Sequence, residues 1–232
     1  MKTIVIIPAR GGSKRIPKKN VKEFLGKPML AYSIEAALES GVYDEVMVST
    51  DSEEIASVAK RYGANVPFMR SAETAGDYAT TADVLFEVLD EYKKLGREFD
   101  NLSCVYPTAP FVTAQKLRDA YKAFVDADAD NLISVTPFSY PPQRGLIFDE
   151  SGKYVTFREP EHVNTRSQDL PTIYHDCGQF YFAKTDKFYI NQSFAVGKSV
   201  PFMLPETEVQ DIDNDEDWAM AEIKYKVMLS KK

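Results

Sequence analysis

Two rhythms of apolar residues alternate along the chain. Short apolar runs at residues 3–8, 45–50, 66–69, 102–106 and 132–136, the first of them β-branched, have the length of buried strands. Between them the apolar positions fall at helical spacing: residues 30–38, then Ile55, Val58, Ala59 and Tyr62, then Leu85, Val88, Leu89 and Tyr92, then residues 117–125. Gly41, Gly63 and Gly96 stand where the first three of these stretches run out, as residues that close helices do. Strand followed by helix, repeated, predicts right-handed βαβ units and an α/β fold: a mainly parallel, Rossmann-like sheet flanked by helices. Ligands of such sheets sit beyond the carboxyl ends of the strands, and the segment after the first strand lies in that place.

The alternation breaks at Pro137. From there to about Pro171 the chain is rich in proline, tyrosine and charge, with a turn at Glu150-Ser151-Gly152. This predicts a β-hairpin excursion, a candidate oligomerisation arm. Residues 178–182 and 200–204 read as late strands and 218–229 as a closing helix. The 232 residues suit one domain carrying an excursion at about 137–171.

Apolar residues make up 44% and charged residues 27%, enough to bury a core without metal or disulfide staples. Cys104 and Cys177 sit in β-like apolar contexts with no metal-binding spacing and are expected as buried free thiols. The leading run from Ile4 to Ile7 is too short for a signal-peptide core or a membrane span, so a cytoplasmic protein without a membrane partner is expected. A net charge of −7 argues against a nucleic-acid binder. Its distribution tells more. Arg10, Lys14, Arg15, Lys18, Lys19 and Lys22 fall in a stretch that holds no acid. A basic loop in an acidic protein suits a local anion such as a polyphosphate; a solvated lysine-rich loop has the same composition.

Within that loop Gly11 and Gly12 let backbone N–H groups approach a ligand closely. Arg10, with its planar fork, and Lys19, a point charge, suit phosphate oxygens. The spacing matches neither a P-loop nor G-x-G-x-x-G. Near the other end stands Asp211-Ile212-Asp213. Side chains at i and i+2 of an extended chain face one way, and magnesium takes one or two carboxylates with water and substrate phosphates. Asp215, Glu216 and Asp217 follow and read instead as acids at a helix N-terminus. Together the basic loop and the acidic pair suggest magnesium-assisted nucleotidyl transfer. A sugar hydroxyl attacks the α-phosphorus and pyrophosphate leaves, by positioning and electrostatics without a covalent intermediate. His162 and His175, the chain's two histidines, complete no nucleophile set. The chemistry requires the two charged segments to meet around one triphosphate.

The ordered motifs Ile7-Pro-Ala-Arg-Gly-Gly-Ser-Lys-Arg-Ile-Pro-Lys-Lys-Asn20, Val48-Ser-Thr-Asp51, Arg70-Ser-Ala-Glu73, Tyr106-Pro-Thr-Ala-Pro110, Arg166-Ser-Gln-Asp-Leu-Pro171 and Asp211-Ile-Asp213 cover nearly the whole chain. In them the chain resembles the acylneuraminate (CMP-nonulosonate) cytidylyltransferases, of the nucleotide-diphospho-sugar transferase type of fold. The resemblance implies transfer of CMP from CTP to an acidic nine-carbon sugar. It places Arg10, Ser13 and Lys19 at the phosphates, Asn20 near the ribose, and Arg70 and Thr81 at cytosine, where the family often has Ser for Thr81. It makes Asp211 and Asp213 the ligands of Mg2+, with Arg10, Lys19 and Asp211 as the catalytic set. It implies a homodimer through the excursion after Pro137.

The departures bear on the sugar. Sialic-acid members commonly show Gln-Pro-Thr-Ser-Pro where this chain has Tyr106-Pro-Thr-Ala-Pro110, and Arg-Pro-Asn-Gly where it has His175-Asp-Cys-Gly178. With Pro142-Gln-Arg144 upstream, the version here looks like the pseudaminic acid branch, with Tyr106, Arg166, Gln168, His175 and Gln179 as candidate sugar contacts. His175 also reads as a satisfied structural histidine, and Phe180 as a core aromatic. N-acetylneuraminate or legionaminate as acceptor, a sugar-1-phosphate nucleotidylyltransferase and a non-catalytic nucleotide-binding module stay open as alternatives.

Overall fold

The computed structural model describes residues 1–230. The chain opens with β1 (Thr3–Pro8), a short ribbon of β2 (Glu23–Phe24) and β3 (Lys27–Pro28), and α1 (Met29–Ser40). Then come β4 (Glu45–Ser49), α2 (Glu53–Arg61), α3 (Ala72–Ala75), α4 (Thr81–Lys94), β5 (Asn101–Val105), α5 (Ala114–Asp126) and β6 (Asn131–Pro137). The excursion holds β7 (Leu146–Phe148) and β8 (Val155–Phe157). The chain closes with β9 (Tyr174–Lys184), α6 (Thr185–Asn191), β10 (Ser199–Met203) and α7 (Asp215–Ser230).

The central sheet of the described residues runs β10-β6-β9-β5-β1-β4. β1 pairs in parallel with β4 and β5, and β10 with β6, while β9 runs antiparallel between β5 and β6. The mainly parallel sheet expected from the sequence is present. The antiparallel strand is its one departure, entering directly from the excursion without a crossover helix.

Alternation along β1 serves both faces. Val5 and Ile7 pack with Leu30, Ile34, Ile55 and Leu117 from α1, α2 and α5, and Ile4 and Ile6 with Leu85, Leu89 and Tyr92 of α4. The strand expected at residues 66–69 does not form. Asn65 makes an isolated bridge to Met47, and Pro67, with no N–H to give, stops it from extending along β4.

A third cluster lies apart from the sheet. Ile16, Phe24, Met29, Phe111, Ile212 and Trp218 are buried together. Trp218 stands edge-on to Phe24 at 5.5 Å, and the Lys22 ammonium lies 4.6 Å from the centre of its ring. This cluster fastens the start of α7, and with it the acidic segment, to the basic loop. Trp218→Ala is expected to lower the unfolding free energy by about 3–5 kcal/mol, read from the midpoint of urea denaturation at constant slope.

Candidate functional site

After β1 the chain moves to β4 on one side, and later to β5 on the other. The crevice between the carboxyl ends of β1 and β5 is therefore the switch point of the sheet. A cavity of about 370 Å³ opens there. Pro8, Arg10, Ser13 and Lys19 line it from the β1 side, and Tyr106 and Thr108 from the β5 side.

The basic loop is shaped by its own polar groups. The buried Asn20 donates from Nδ2 to the Arg10 carbonyl (2.9 Å), and the Gly11 N–H donates to Asp51 Oδ1 (2.8 Å). Arg10 Nη1 donates to Asp77 Oδ1 at 3.1 Å, and Lys14 Nζ to Asp77 Oδ2 at 2.6 Å. Lys14 first, then Arg10, holds the Asp77 carboxyl below the usual carboxylate range. The two cations thus share one internal anion.

The acidic segment meets this loop. Ile212 is buried while Asp211 is exposed and Asp213 partly so, which turns both carboxylates outward about an apolar pivot. Lys19 Nζ donates to the Ile212 carbonyl at 2.6 Å and lies 3.7 Å from Asp213 Oδ1, which also accepts Arg15 Nη2 at 2.7 Å. Ile16 and Ile212 lie in the same cluster beneath. Asp217 accepts the N–H groups of Asp213 and Asn214, and Asn214 Oδ1 accepts the Asp217 N–H, a cap that fixes the entry to α7. The helix-terminus reading of Asp215, Glu216 and Asp217 therefore holds.

Arg70 and Thr81 line a second cavity, of about 260 Å³, which shares Pro8, Arg10 and Tyr106 with the first. Arg70 is buried, and desolvation lowers its pKa. Its Nε donates to Ser49 Oγ (2.9 Å) and its Nη2 to the Ser49 carbonyl (2.7 Å), which holds the guanidinium in a fixed pose. A third cavity, of about 510 Å³, adjoins at Thr81 and Tyr106 and is walled by Ile133, Tyr181 and Phe194, with Asp176 at its edge. Tyr106 thus borders all three. Its hydroxyl meets Thr81 Oγ1 at 2.9 Å and its pKa is pushed up to about 12, mainly by burial, with Asp176 and Asp211 both adding negative potential.

Arg10, Ser13, Lys19, Asn20, Arg70, Thr81, Tyr106, Asp211 and Asp213 are therefore assembled at one end of the sheet. The other expected sugar contacts are not brought into these cavities. Arg166 and Gln168 are exposed on the excursion, where Arg166 is paired with Asp169 at 2.6 Å. His175 contacts the Asp176 carbonyl through Nδ1 (2.9 Å) and packs against Phe138. Gln179 is buried, its Nε2 donating to the Glu208 carbonyl (2.7 Å). The structure adds Asp77, Asp176, Ile16 and Ile212 to the site. The apolar pair could have been found from the sequence, as the lone isoleucine inside each charged segment.

A family model described as Cytidylyltransferase matches residues 4–226. The chain is 43% identical over 228 residues, 98% of its length and 97% of the relative's, to a pseudaminic acid cytidylyltransferase of Campylobacter jejuni. It is 34% identical, over 96% of this chain and 95% of the relative, to a CMP-N,N'-diacetyllegionaminic acid synthase of Legionella pneumophila. Among solved structures, a CMP:2-keto-3-deoxy-manno-octonic acid synthetase complexed with CTP superimposes with a TM-score of 0.68. It shares 17% identity and covers 99% of this chain and 100% of that one, a likeness of fold.

Proposed function

The chain belongs to the cytidylyltransferase family, and from that premise we propose that it transfers CMP from CTP to the anomeric hydroxyl of pseudaminic acid, releasing pyrophosphate. The observation that carries this reading is the meeting of the basic loop and Asp211-Ile212-Asp213 around one cleft that runs into the Arg70 cavity.

In this reading Arg10, Lys14 and Lys19 face the triphosphate, and Arg10 and Lys14 exchange Asp77 for phosphate oxygens as CTP enters. Arg70, held by Ser49, turns its remaining N–H donors towards the base. Cytosine offers acceptors at O2 and N3, whereas uracil carries a hydrogen at N3, so a fixed donor separates the two. Tyr106 stands between nucleotide and sugar, and the cavity beyond it receives the acceptor. The anomeric oxygen forms a bond to the α-phosphorus as the bond to the bridging oxygen breaks. Pyrophosphate takes that electron pair, and the hydroxyl proton passes to solvent.

The donor set at the acidic segment fits Mg2+. Two outward carboxylates at i and i+2 are hard oxygen ligands, and that of Asp211 has no partner among the described residues. Asp211 and Asp213 would hold the ion, which when bound offsets charge on the triphosphate and on departing pyrophosphate.

We assign the excursion to a homodimer interface. Leu146, Ile147, Phe148 and Val155 are exposed on the two strands of the β7–β8 hairpin, and an isolated two-stranded hairpin is marginal in water without cover. Arg166 and Gln168 belong to the same arm. No helix among the described residues is long and apolar enough to cross a membrane, and both cysteines are buried free thiols, in keeping with a reducing cytoplasm.

Pyrophosphate release with four nucleotides tests the donor. CTP is expected to exceed UTP by about tenfold or more, the scale of a hydrogen bond to a charged group gained or lost, and to exceed ATP and GTP further. Equal rates with CTP and the purines would overturn the assignment. A panel of pseudaminic, N,N'-diacetyllegionaminic and N-acetylneuraminic acids tests the acceptor, with pseudaminic acid expected to show the highest kcat/KM.

A further inference from the structure

The third cavity contains a carboxylate that the reaction described above does not use. β9 pairs with β6 in two registers: Ile133 lies opposite Tyr181, but Val135, two residues along β6, lies opposite Asp176, five residues back along β9. Residues five apart in an uninterrupted strand point to opposite faces. Cross-strand partners share a face, as do residues two apart, so Ile133, Val135, Tyr181 and Asp176 all lie on one side of the sheet. The irregularity that reverses the alternation is turned at Gly178, which has the left-handed φ of 59°. Its effect is to deliver Asp176 to the face of Tyr106 and Tyr181, at the edge of the third cavity, instead of the opposite one.

Asp176 is held there firmly. Both its oxygens accept from the Tyr181 hydroxyl at 2.8 Å, and Oδ1 also accepts the Gly178 N–H at 2.8 Å. A carboxylate has about four acceptor sites, so capacity remains. The residue is exposed, while the wall beside it is apolar: Ile133, Phe188 and Phe194. Burial, followed by the Asp176 charge, keeps the Tyr181 phenol well above its ordinary pKa, so it stays a donor to Asp176. A fixed acceptor next to an apolar wall matches a substituent that carries an N–H or O–H beside hydrocarbon. It repels a second carboxylate.

We propose that Asp176 determines which acceptor sugar is used. It receives a hydrogen bond from an N–H or O–H donor on a ring substituent and turns the sugar's own carboxylate away from this end of the cavity. This inference rests on the sugar-cytidylyltransferase reading above, and the experiment separates the two. Asp176→Ala is expected to raise KM for the preferred nonulosonic acid by between about tenfold and a hundredfold, the range for a hydrogen bond to a charged group. CTP affinity, measured by calorimetry, stays within twofold. Its preference among pseudaminic, N,N'-diacetyllegionaminic and N-acetylneuraminic acids narrows.

Asp176→Asn leaves an oxygen for Tyr181 and Gly178 while removing the charge, and is expected to fold as the parent does with a smaller rise in sugar KM. Tyr181→Phe removes the hydroxyl that holds Asp176 but leaves the carboxylate, and is expected to change sugar KM less than Asp176→Ala. An unchanged sugar KM in Asp176→Ala overturns the inference while the cytidylyltransferase reading stands. So does an equal rise in Tyr181→Phe, since Asp176 would then only anchor that ring. Absence of turnover on all three acids by the unmodified enzyme overturns both.

Discussion

Asp211→Ala is expected to fold as the parent chain does and to lose turnover by on the order of a hundredfold to a thousandfold, the scale for removing one preorganised electrostatic contact from a transition state. The structural cost is small because the side chain is exposed and without a partner among the described residues. The segment is held by other groups: Ile212 in its apolar cluster and the Lys19 contact to the Ile212 carbonyl. Pyrophosphate release measured across a magnesium titration, with thermal melting alongside, checks both halves. The rate should fall with an unchanged midpoint of melting, and more magnesium should be needed to reach half the remaining rate. Near-normal release at saturating magnesium would show that the metal is held elsewhere. Asp213→Ala is a less direct probe, because the Asp213 carboxylate is already engaged by Arg15 and Lys19.

The same observation explains how a chain of net negative charge can concentrate positive charge usefully. Arg10 and Lys14 are matched by Asp77, and Arg15 and Lys19 by Asp213. The free protein therefore presents a cleft whose four cations are already in place, their charge partly offset by two carboxylates. Exposed pairs of this kind are worth little individually. Exchanging them for the denser charge of a triphosphate costs little and leaves Asp77 and Asp213 to solvent or metal.

The parallel core and its helices were legible because each rests on local rules. Short apolar runs gave β1, β4, β5 and β6, and Gly41, Gly63 and Gly96 all adopt the left-handed conformation at helix ends. The basic loop and the acidic pair were legible as charge patterns, though only topology could bring them together. What local rules do not carry is long-range pairing. The run at residues 66–69 looked like a strand, yet Pro67 allows one bridge. The strand read at residues 178–182 is the second half of a longer one whose register slips by an odd number, and no sequence periodicity announces that Asp176 changes face there. Gln179 shows the converse. Its neighbourhood in the sequence suggested the sugar, but the fold turns its side chain to the Glu208 carbonyl. Arg166 and Gln168 lie on an exposed arm, where Arg166 pairs with Asp169, and no local rule of the sequence says that this arm stands away from the cavities.

Lys19 joins the two halves of the site, and its replacement is expected to be nearly as damaging as that of Asp211. The side chain is mostly buried, 20% accessible, and its ammonium lies between the Ile212 carbonyl and Asp213, beside the cleft between β1 and β5. Lys19→Met keeps the length and apolar stem and removes the charge. It is expected to lower kcat/KM for CTP by on the order of a hundredfold or more, since both phosphate neutralisation and the tie to the acidic segment are lost. Two measurements separate these contributions. If the tie alone mattered, the variant would melt at lower temperature, and magnesium and CTP would each bind more weakly; an electrostatic role instead leaves melting within a few degrees while CTP binding loses part of its salt dependence. The second outcome is expected, because Ile16 and Ile212 still hold the segments together. Lys19→Arg should recover only part of the activity. A planar guanidinium does not reproduce a compact charge seated 2.6 Å from a carbonyl in a cleft of this width. Retention of kcat/KM within about threefold in Lys19→Met, less than a single charged hydrogen bond is worth, would show that the triphosphate does not pass this residue and that the cleft between β1 and β5 is not where the reaction occurs.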